Sequence, residues 1–333
     1  MLPKILLGLL AVLLAVVAGG AAYQWLASRA DHRAFPPPGV LVSVDGLQMH
    51  VDCRGSGSPV VILEAGLTTG SWSWGIVHDA VSRHTRVCAY DRPGMGWSEP
   101  INRIADAGEV ADRLHGLLEA AGIGGPYVLL GMSAGGVYVR EYYHRHPGDV
   151  IGMVLVDSSH EQQGNRLPAF EGQQHMERLI GWCSLLQPVG VVRLSGVLDD
   201  LLRAPGISEQ SKPLLRANLN RSHYCASMLA ESRSFSGEVV DDHPPAPLSD
   251  LPLTVLSQGN EPKGDQRFGI TDEQARAQRE VWNELQRELT ALSSRGKRLI
   301  AGNSGHVIQL EQPQLVIDAV TAMIAELRGV PAR

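Results

Sequence analysis

Tyr127-Val128-Leu129-Leu130-Gly131-Met132-Ser133-Ala134-Gly135-Gly136-Val137 is the stretch on which the reading of this chain turns. Tyr127 to Gly131 is a short apolar run of strand character. The pattern G-x-S-x-G follows, and Val137 to His146 then reads as a helix. A strand, a glycine-framed turn and a helix together form the setting that presents a serine hydroxyl at the edge of a parallel sheet. The glycines have a steric role, because side chains at Gly131 or Gly135 would meet the neighbouring strand and helix. Ser133 is the candidate nucleophile. The backbone N–H of Ala134, the next residue, is a candidate donor to a developing oxyanion. The five-residue pattern alone is a weak signal in a chain with 36 glycines; its flanks give it weight.

Outward from this turn, short apolar runs alternate with amphipathic stretches. Strands are expected at Leu41–Val44, Leu47–Asp52, Val60–Glu64, Arg86–Tyr90, Tyr127–Gly131, Gly152–Asp157, Leu253–Ser257 and Arg298–Ala301. Several are unbroken Val/Ile/Leu runs, as for strands covered on both faces. Asp45-Gly46 joins the first two as a hairpin. Helices are expected at Ala107–Ala121, where Val110, Leu114, Leu117 and Leu118 recur at helical spacing, at Thr271–Leu292 and at Pro313–Leu327. The alternation implies a mostly parallel α/β sheet. Residues 158–250 break the rhythm with helical patches and no strand, and His243-Pro244-Pro245-Ala246-Pro247 closes this block as a linker. The block reads as an inserted helical cap.

A serine hydroxyl needs a base. Asn303-Ser304-Gly305-His306 lies directly after the last strand and before the last helix. Of the 12 histidines, His306 is therefore the candidate base. A second oxyanion donor is expected on the loop after the third strand, Glu64-Ala65-Gly66-Leu67, where the N–H of Leu67 is the candidate.

The N-terminus is a different kind of sequence. No charged residue occurs between Lys4 and Arg29, and about 20 apolar residues suffice to cross a hydrocarbon core of about 30 Å. Residues 1–28 are expected to be an uncleaved single-pass anchor rather than a shorter signal peptide. Residues 29–39, ending in Pro36-Pro37-Pro38-Gly39, read as a stiff spacer, and residues 40–330 as the globular unit. The first thirty-five residues are thus read as lying outside the fold. Four cysteines allow two disulfides, Cys53–Cys88 and Cys183–Cys225 among the pairings, or four buried thiols. The anchor and the even cysteine count place the globular domain on the extracytoplasmic (periplasmic) side of a membrane. The 29 basic against 35 acidic residues argue against a general nucleic-acid binder.

Val87-Cys88-Ala89-Tyr90-Asp91-Arg92-Pro93-Gly94-Met95-Gly96-Trp97-Ser98, the Ser133 turn, and Ser304-Gly305-His306 followed by Pro313 together resemble the α/β-hydrolase superfamily, from Val40 to Leu327. The resemblance implies an eight-stranded, mostly parallel sheet with helices on both faces, a cap inserted after strand six, and a Ser–acid–His order. The residue pair usual before the oxyanion position, His-Gly, is Ala65-Gly66 here. The acid stays open. The resemblance points to the end of strand seven, yet Pro262 stands where an aspartate is expected, leaving Glu261 and Asp265 nearby. Asp157, closing strand six, fits an alternative location and stands first of the three. Asp91 and Arg92 read as braces of the turn after strand four.

The expected activity is hydrolysis of a small-molecule acyl compound, an ester by default, through an acyl-enzyme. Acyl transfer, C–C hydrolysis and a non-catalytic binding protein on the same fold are the alternatives. Serine at position 133 argues against the dehalogenase and epoxide-hydrolase chemistries, which in this superfamily use aspartate. Such a site calls for no cofactor and no metal.

Overall fold

The computed structural model describes residues 2–101, 106–168, 172–204, 206–239, 244–265 and 269–329. His243 of the expected linker and Val330 at the expected domain end lie outside these residues. Eight strands, β1 (Val40–Val44), β2 (Leu47–Arg54), β3 (Val60–Glu64), β4 (Val87–Tyr90), β5 (Tyr127–Met132), β6 (Val150–Val156), β7 (Leu253–Gln258) and β8 (Gly296–Ala301), form one sheet in the order β1-β2-β4-β3-β5-β6-β7-β8. Only β2 runs against its neighbours. Asp45 (φ 50°) and Gly46 (φ 81°) both take left-handed backbone, as a two-residue hairpin matched to strand twist requires.

The helices are α1 (Leu2–Ala34), α2 (Gly75–Val81), α3 (Ala107–Ala120), α4 (Ala134–Arg145), α5 (Gln163–Arg166), α6 (Gly172–Leu186), α7 (Val191–Ser195), α8 (Lys212–Leu219), α9 (Tyr224–Glu238), α10 (Asp272–Ala291), α11 (Ile308–Glu311) and α12 (Pro313–Leu327). Starts follow from capping chemistry. Asp106 accepts the Glu109 N–H at the head of α3, and Thr271 and Gln274 form a reciprocal capping box at the head of α10. β3, β4 and β5 are buried along their whole length, because both faces are covered. One face packs Leu114, Leu117 and Leu118 of α3 against Ile62 and Leu129. The other packs Val77 and Val81 of α2 and Val316 and Val320 of α12 against Val61 and Leu130.

Between β6 and β7 the described chain carries α5 to α9 and short 3-10 turns, with no strand among these residues. Met95, Leu202, Leu215, Leu219, Tyr224 and Cys225 make a small core beneath them. Disulfides Cys53–Cys88 and Cys183–Cys225 are both formed. The first links paired residues of β2 and β4; the second links α6 to α9.

Two expectations about the N-terminus need correction. The first helix does not stop at residue 28 but continues to Ala34, leaving only Phe35 to Gly39 as spacer. Helix-tolerant residues fill 29–34, and the helix ends where Pro36 disfavours helical backbone at the residue before it. Nor does the whole segment lie outside the fold. Gln24 is buried, its Nε2 donating to the carbonyl of Asn220 at 2.7 Å, and Trp97 Nε1 donates to the Phe35 carbonyl at 3.2 Å. An eighteen-residue window of α1 with mean hydropathy 2.7 nevertheless contains no buried residue.

Candidate active site

The site begins with two strained residues at neighbouring strand ends. Ser133 follows β5 with φ 52° and ψ −122°, and Asp157 follows β6 with φ 43°. Non-glycine residues rarely hold such backbone unless the surroundings impose it. The Ser133 N–H donates to Val156 O at 3.1 Å and the Ser159 N–H donates to Ser133 O at 2.9 Å, tying the two turns together. The turn closes only because glycines surround it. A Cβ on Gly131 would lie 2.5 Å from Gly135 O, one on Gly135 would lie 2.6 Å from Glu64 O, and one on Gly136 would strike the Ser158 hydroxyl.

His306 bridges these two strand ends. Its Nε2 lies 2.9 Å from Ser133 Oγ and its Nδ1 lies 2.7 Å from Asp157 Oδ2. The imidazole is partly exposed while Asp157 is fully buried. A buried carboxylate is costly unless its lone pairs are taken. Here the second oxygen accepts the Gln258 N–H and the Trp282 indole N–H, both at 2.9 Å. The Trp282 ring meets the His306 ring edge-on, with centroids 5.8 Å apart. These contacts set both the orientation of the carboxylate and the position of the imidazole.

Of the three acids left open by the sequence, Asp157 is the one on His306 Nδ1. Glu261 lines a cavity of about 660 Å³ with Lys263, Arg279, Trp282 and Gly305, beside His306 but not on its ring nitrogen. The backbone carbonyl of Asp265 accepts the Ile270 N–H in a local bridge. The Gln258 and Trp282 contacts were not legible in the sequence. Trp282 is one apolar position of an amphipathic helix, and nothing in its spacing marks an indole aimed at a carboxylate.

The two backbone positions expected as oxyanion donors flank Ser133. Ala134 opens α4, whose first-turn N–H groups have no acceptor inside the helix. Gly66 approaches so closely that a Cβ there would lie 2.5 Å from Met132 Sδ and 3.5 Å from Ser133 Cβ. Leu67 follows it, and its side chain packs on a cluster containing Ala134 and Tyr138.

Behind this loop stands Arg92. It donates to Ala65 O at 2.8 Å, to Gly66 O at 2.7 Å and to Glu231 Oε1 at 2.6 Å, and it pairs with Glu64. Tyr90 donates its hydroxyl to the same Glu64 carboxylate. Burial works against the guanidinium charge, but Glu231 and Glu64 outweigh it and hold Arg92 well above its ordinary pKa. Asp91 braces the adjacent turn, accepting from Ser71 N at 2.6 Å and Trp97 N at 3.0 Å with His50 Nδ1 at 2.7 Å. Burial alone would raise the Asp91 carboxyl; these partners hold it below the ordinary value. Both residues thus stand where the sequence expected braces. The cap residue Glu231 was not foreseen, because its partner is 139 positions away.

Comparison with known proteins places this chain in a family. Residues 60–319 match the model of the alpha/beta hydrolase family. An uncharacterized protein of Schizosaccharomyces pombe is 28% identical over 86% of this chain and 55% of its own length; the chain thus spans about half of that relative. An uncharacterized protein of Bacillus subtilis is 24% identical, covering 82% of this chain and 87% of its own. Among solved structures, a putative lipase of Acinetobacter baumannii aligns with TM-score 0.61 at 19% identity (92% of this chain, 97% of that one). A thermophilic esterase of Thermogutta terrifontis aligns with 0.56 at 18% (86% and 98%). The epoxide hydrolase CorEH aligns with 0.63 at 20% (87% and 99%). At these identities the structural likeness speaks for the fold alone. The family match over most of the globular chain, on an eight-stranded sheet of this order, means that the protein belongs to the alpha/beta hydrolase family.

Proposed function

We propose that this protein is a membrane-anchored serine hydrolase that cleaves an acyl bond, a carboxylic ester first among them. The observation that carries the reading is the Ser133–His306–Asp157 chain of contacts at 2.9 and 2.7 Å. His306 Nε2 takes the Ser133 proton as Oγ attacks the acyl carbonyl. Asp157 holds the ring with Nδ1–H toward it and stabilises the imidazolium that forms. The N–H groups of Leu67 and Ala134 receive the oxyanion, each such donor being worth about 3–4 kcal/mol in the transition state. His306 then protonates the leaving group. Water, deprotonated by His306, releases the acyl group and restores Ser133. No cofactor or metal has a part in these steps.

The exposed apolar run of α1 supports a bilayer anchor. The two disulfides support an oxidising, extracytoplasmic side for the catalytic domain. Protease protection in intact cells against inverted vesicles tests the side.

The activity is tested by labelling the full-length protein in detergent with a fluorophosphonate probe, beside Ser133→Ala, and by assaying esters of graded acyl length. Labelling of the wild type alone, with ester turnover, is the expected result. Equal behaviour of the two proteins would leave a non-catalytic binding protein on this fold.

A further inference from the structure

We propose that the cap carries a second membrane-contacting surface, formed by Trp182, Leu185, Val191, Leu194, Val197 and Leu201, which lies in the lipid interface beside α1. The proposal rests on the reading of α1 as a membrane span.

The first observation is an inversion of polarity in the cap. Trp182, Leu185, Leu194 and Val197 are 63, 68, 69 and 62% exposed. Two polar side chains of the same stretch, Gln187 and Arg193, point inward, while Asp199 and Asp200 stay exposed. Gln187 is buried, donating to Leu219 O and accepting from Cys225 N, both at 2.7 Å. Arg193 turns inward to Gln24 Oε1 at 3.0 Å and Asp31 Oδ2 at 2.7 Å. In water the pattern is the reverse: polar groups face out and large apolar ones in. So many large apolar side chains exposed within one short stretch mark a surface made for something other than water.

The second observation says what that is. α1 is seated on this stretch of the cap. A Cβ at Gly20 would lie 2.3 Å from Val189 O, and Gly190 lies against Tyr23 and Gln24. Gln24, Arg193 and Asp31 lock the helix to the cap. Residues 5–24 are twenty in number, about 30 Å of helix and about the thickness of the hydrocarbon core. Gly20 then lies about 6 Å inside the edge at Gln24. Val189, in contact with it, then lies about 6 Å inside the boundary between acyl chains and headgroups. The exposed apolar residues on either side of Val189 sit at the depth where amphipathic surface elements bury their apolar faces, about 5–10 Å into that boundary. Trp182 is a residue type favoured there.

The test uses the full chain in vesicles of phosphatidylcholine with a minor fraction of phosphatidylglycerol, the lipids bearing a detectable tag. Photoreactive benzoylphenylalanine replaces, one at a time, Trp182, Leu194 or Val197 in the cap, Leu13 in α1, and Glu119. Glu119 is solvent-facing at the end of α3, toward the sheet edge where β5 begins. Lipid adducts are expected at 13 and at all three cap positions, with cap yields at least about tenfold above position 119. Adducts at 13 alone overturn the cap surface and leave the anchor standing. Adducts at none of these positions overturn the anchor and the surface together. Cross-links from the cap positions to a second copy of the chain, or yields at 119 equal to theirs, also overturn the proposal.

Discussion

Glu231, on cap helix α9, and Arg92, on the loop after β4, meet at 2.6 Å. The same Glu231 carboxylate accepts the N–H of Thr68, while Arg92 holds the carbonyls of Ala65 and Gly66. Leu67, the proposed oxyanion donor, lies between these points of attachment. One ion pair therefore joins the cap to the backbone segment whose position decides whether an oxyanion is met by an N–H.

Loosening this pair is expected to show in turnover before it shows in binding. Glu231→Ala leaves Arg92 paired with Glu64 and should lower kcat by about tenfold to a hundredfold through misplacement of Leu67, with little change in KM. Arg92→Met is more severe, since it leaves Glu64 buried without a cation, a loss of about 3–5 kcal/mol. Steady-state kinetics and thermal melts of the two variants separate the effects. An unchanged kcat in Glu231→Ala would show that the loop needs no support from the cap.

Asp157 is expected to carry the acid role alone. Asp157→Asn should reduce kcat by about four orders of magnitude, because the amide cannot hold the imidazole in the needed tautomer. Glu261→Gln and Asp265→Asn should stay within a few-fold of wild type. Rates of fluorophosphonate labelling for the three variants decide the matter, and a large loss in either of the last two reassigns the acid.

Gly131→Ala tests the steric argument for the serine turn. The added Cβ would meet backbone atoms of Gly135 and Gly136 at 2.5–2.7 Å, which no rotamer change relieves. A loss of about 1–3 kcal/mol or more in stability is expected, read as a lowered denaturation midpoint. Gly122→Asn, at positive φ but with open space around it, should cost less.

Acid sensitivity should come from two desolvated histidines, the buried His160 and the half-buried His223. Burial lowers His160 to about 4, and burial with Arg221 nearby lowers His223 to about 4. Unfolded, each returns to the ordinary value near 6.5. Between these values the unfolded chain binds more protons. Their contribution is therefore complete above pH 6.5, falls as the pH drops toward 4, and changes no further below that. His160→Asn keeps an acceptor near Nδ1, which accepts from Gln162 N at 3.0 Å. Melting temperatures at pH 7 and pH 5 should differ less in this variant than in wild type.

The two disulfides close segments of 35 and 42 residues. Each is expected to stabilise the fold by about 2–4 kcal/mol. Cys183→Ala with Cys225→Ala should loosen α6 from α9 and speed amide exchange in the cap. The paired change at Cys53 and Cys88 should act on the edge of the sheet at β2 and β4. Hydrogen exchange followed by mass spectrometry distinguishes the two regions.

The sequence by itself determined what depends on neighbours along the chain. Strand β3 and helix α12 fall on the expected residues, and the Asp45-Gly46 turn takes the expected backbone, because apolar periodicity, a first-turn proline and tolerance of positive φ are local properties. The serine turn and the loop of His306 are legible for the same reason: glycines must stand where backbones touch, and a strand must precede each loop. What only the tertiary structure decided are meetings between distant residues. Asp157, Glu261 and Asp265 all lie at or near strand ends, and nothing in their spacing says which carboxylate lies 2.7 Å from His306, 149 positions from Asp157. The seat of α1 on the cap and the joining of Glu231 to Arg92 were hidden likewise. A buried polar contact depends on side-chain geometry between elements, and no period along the chain encodes that.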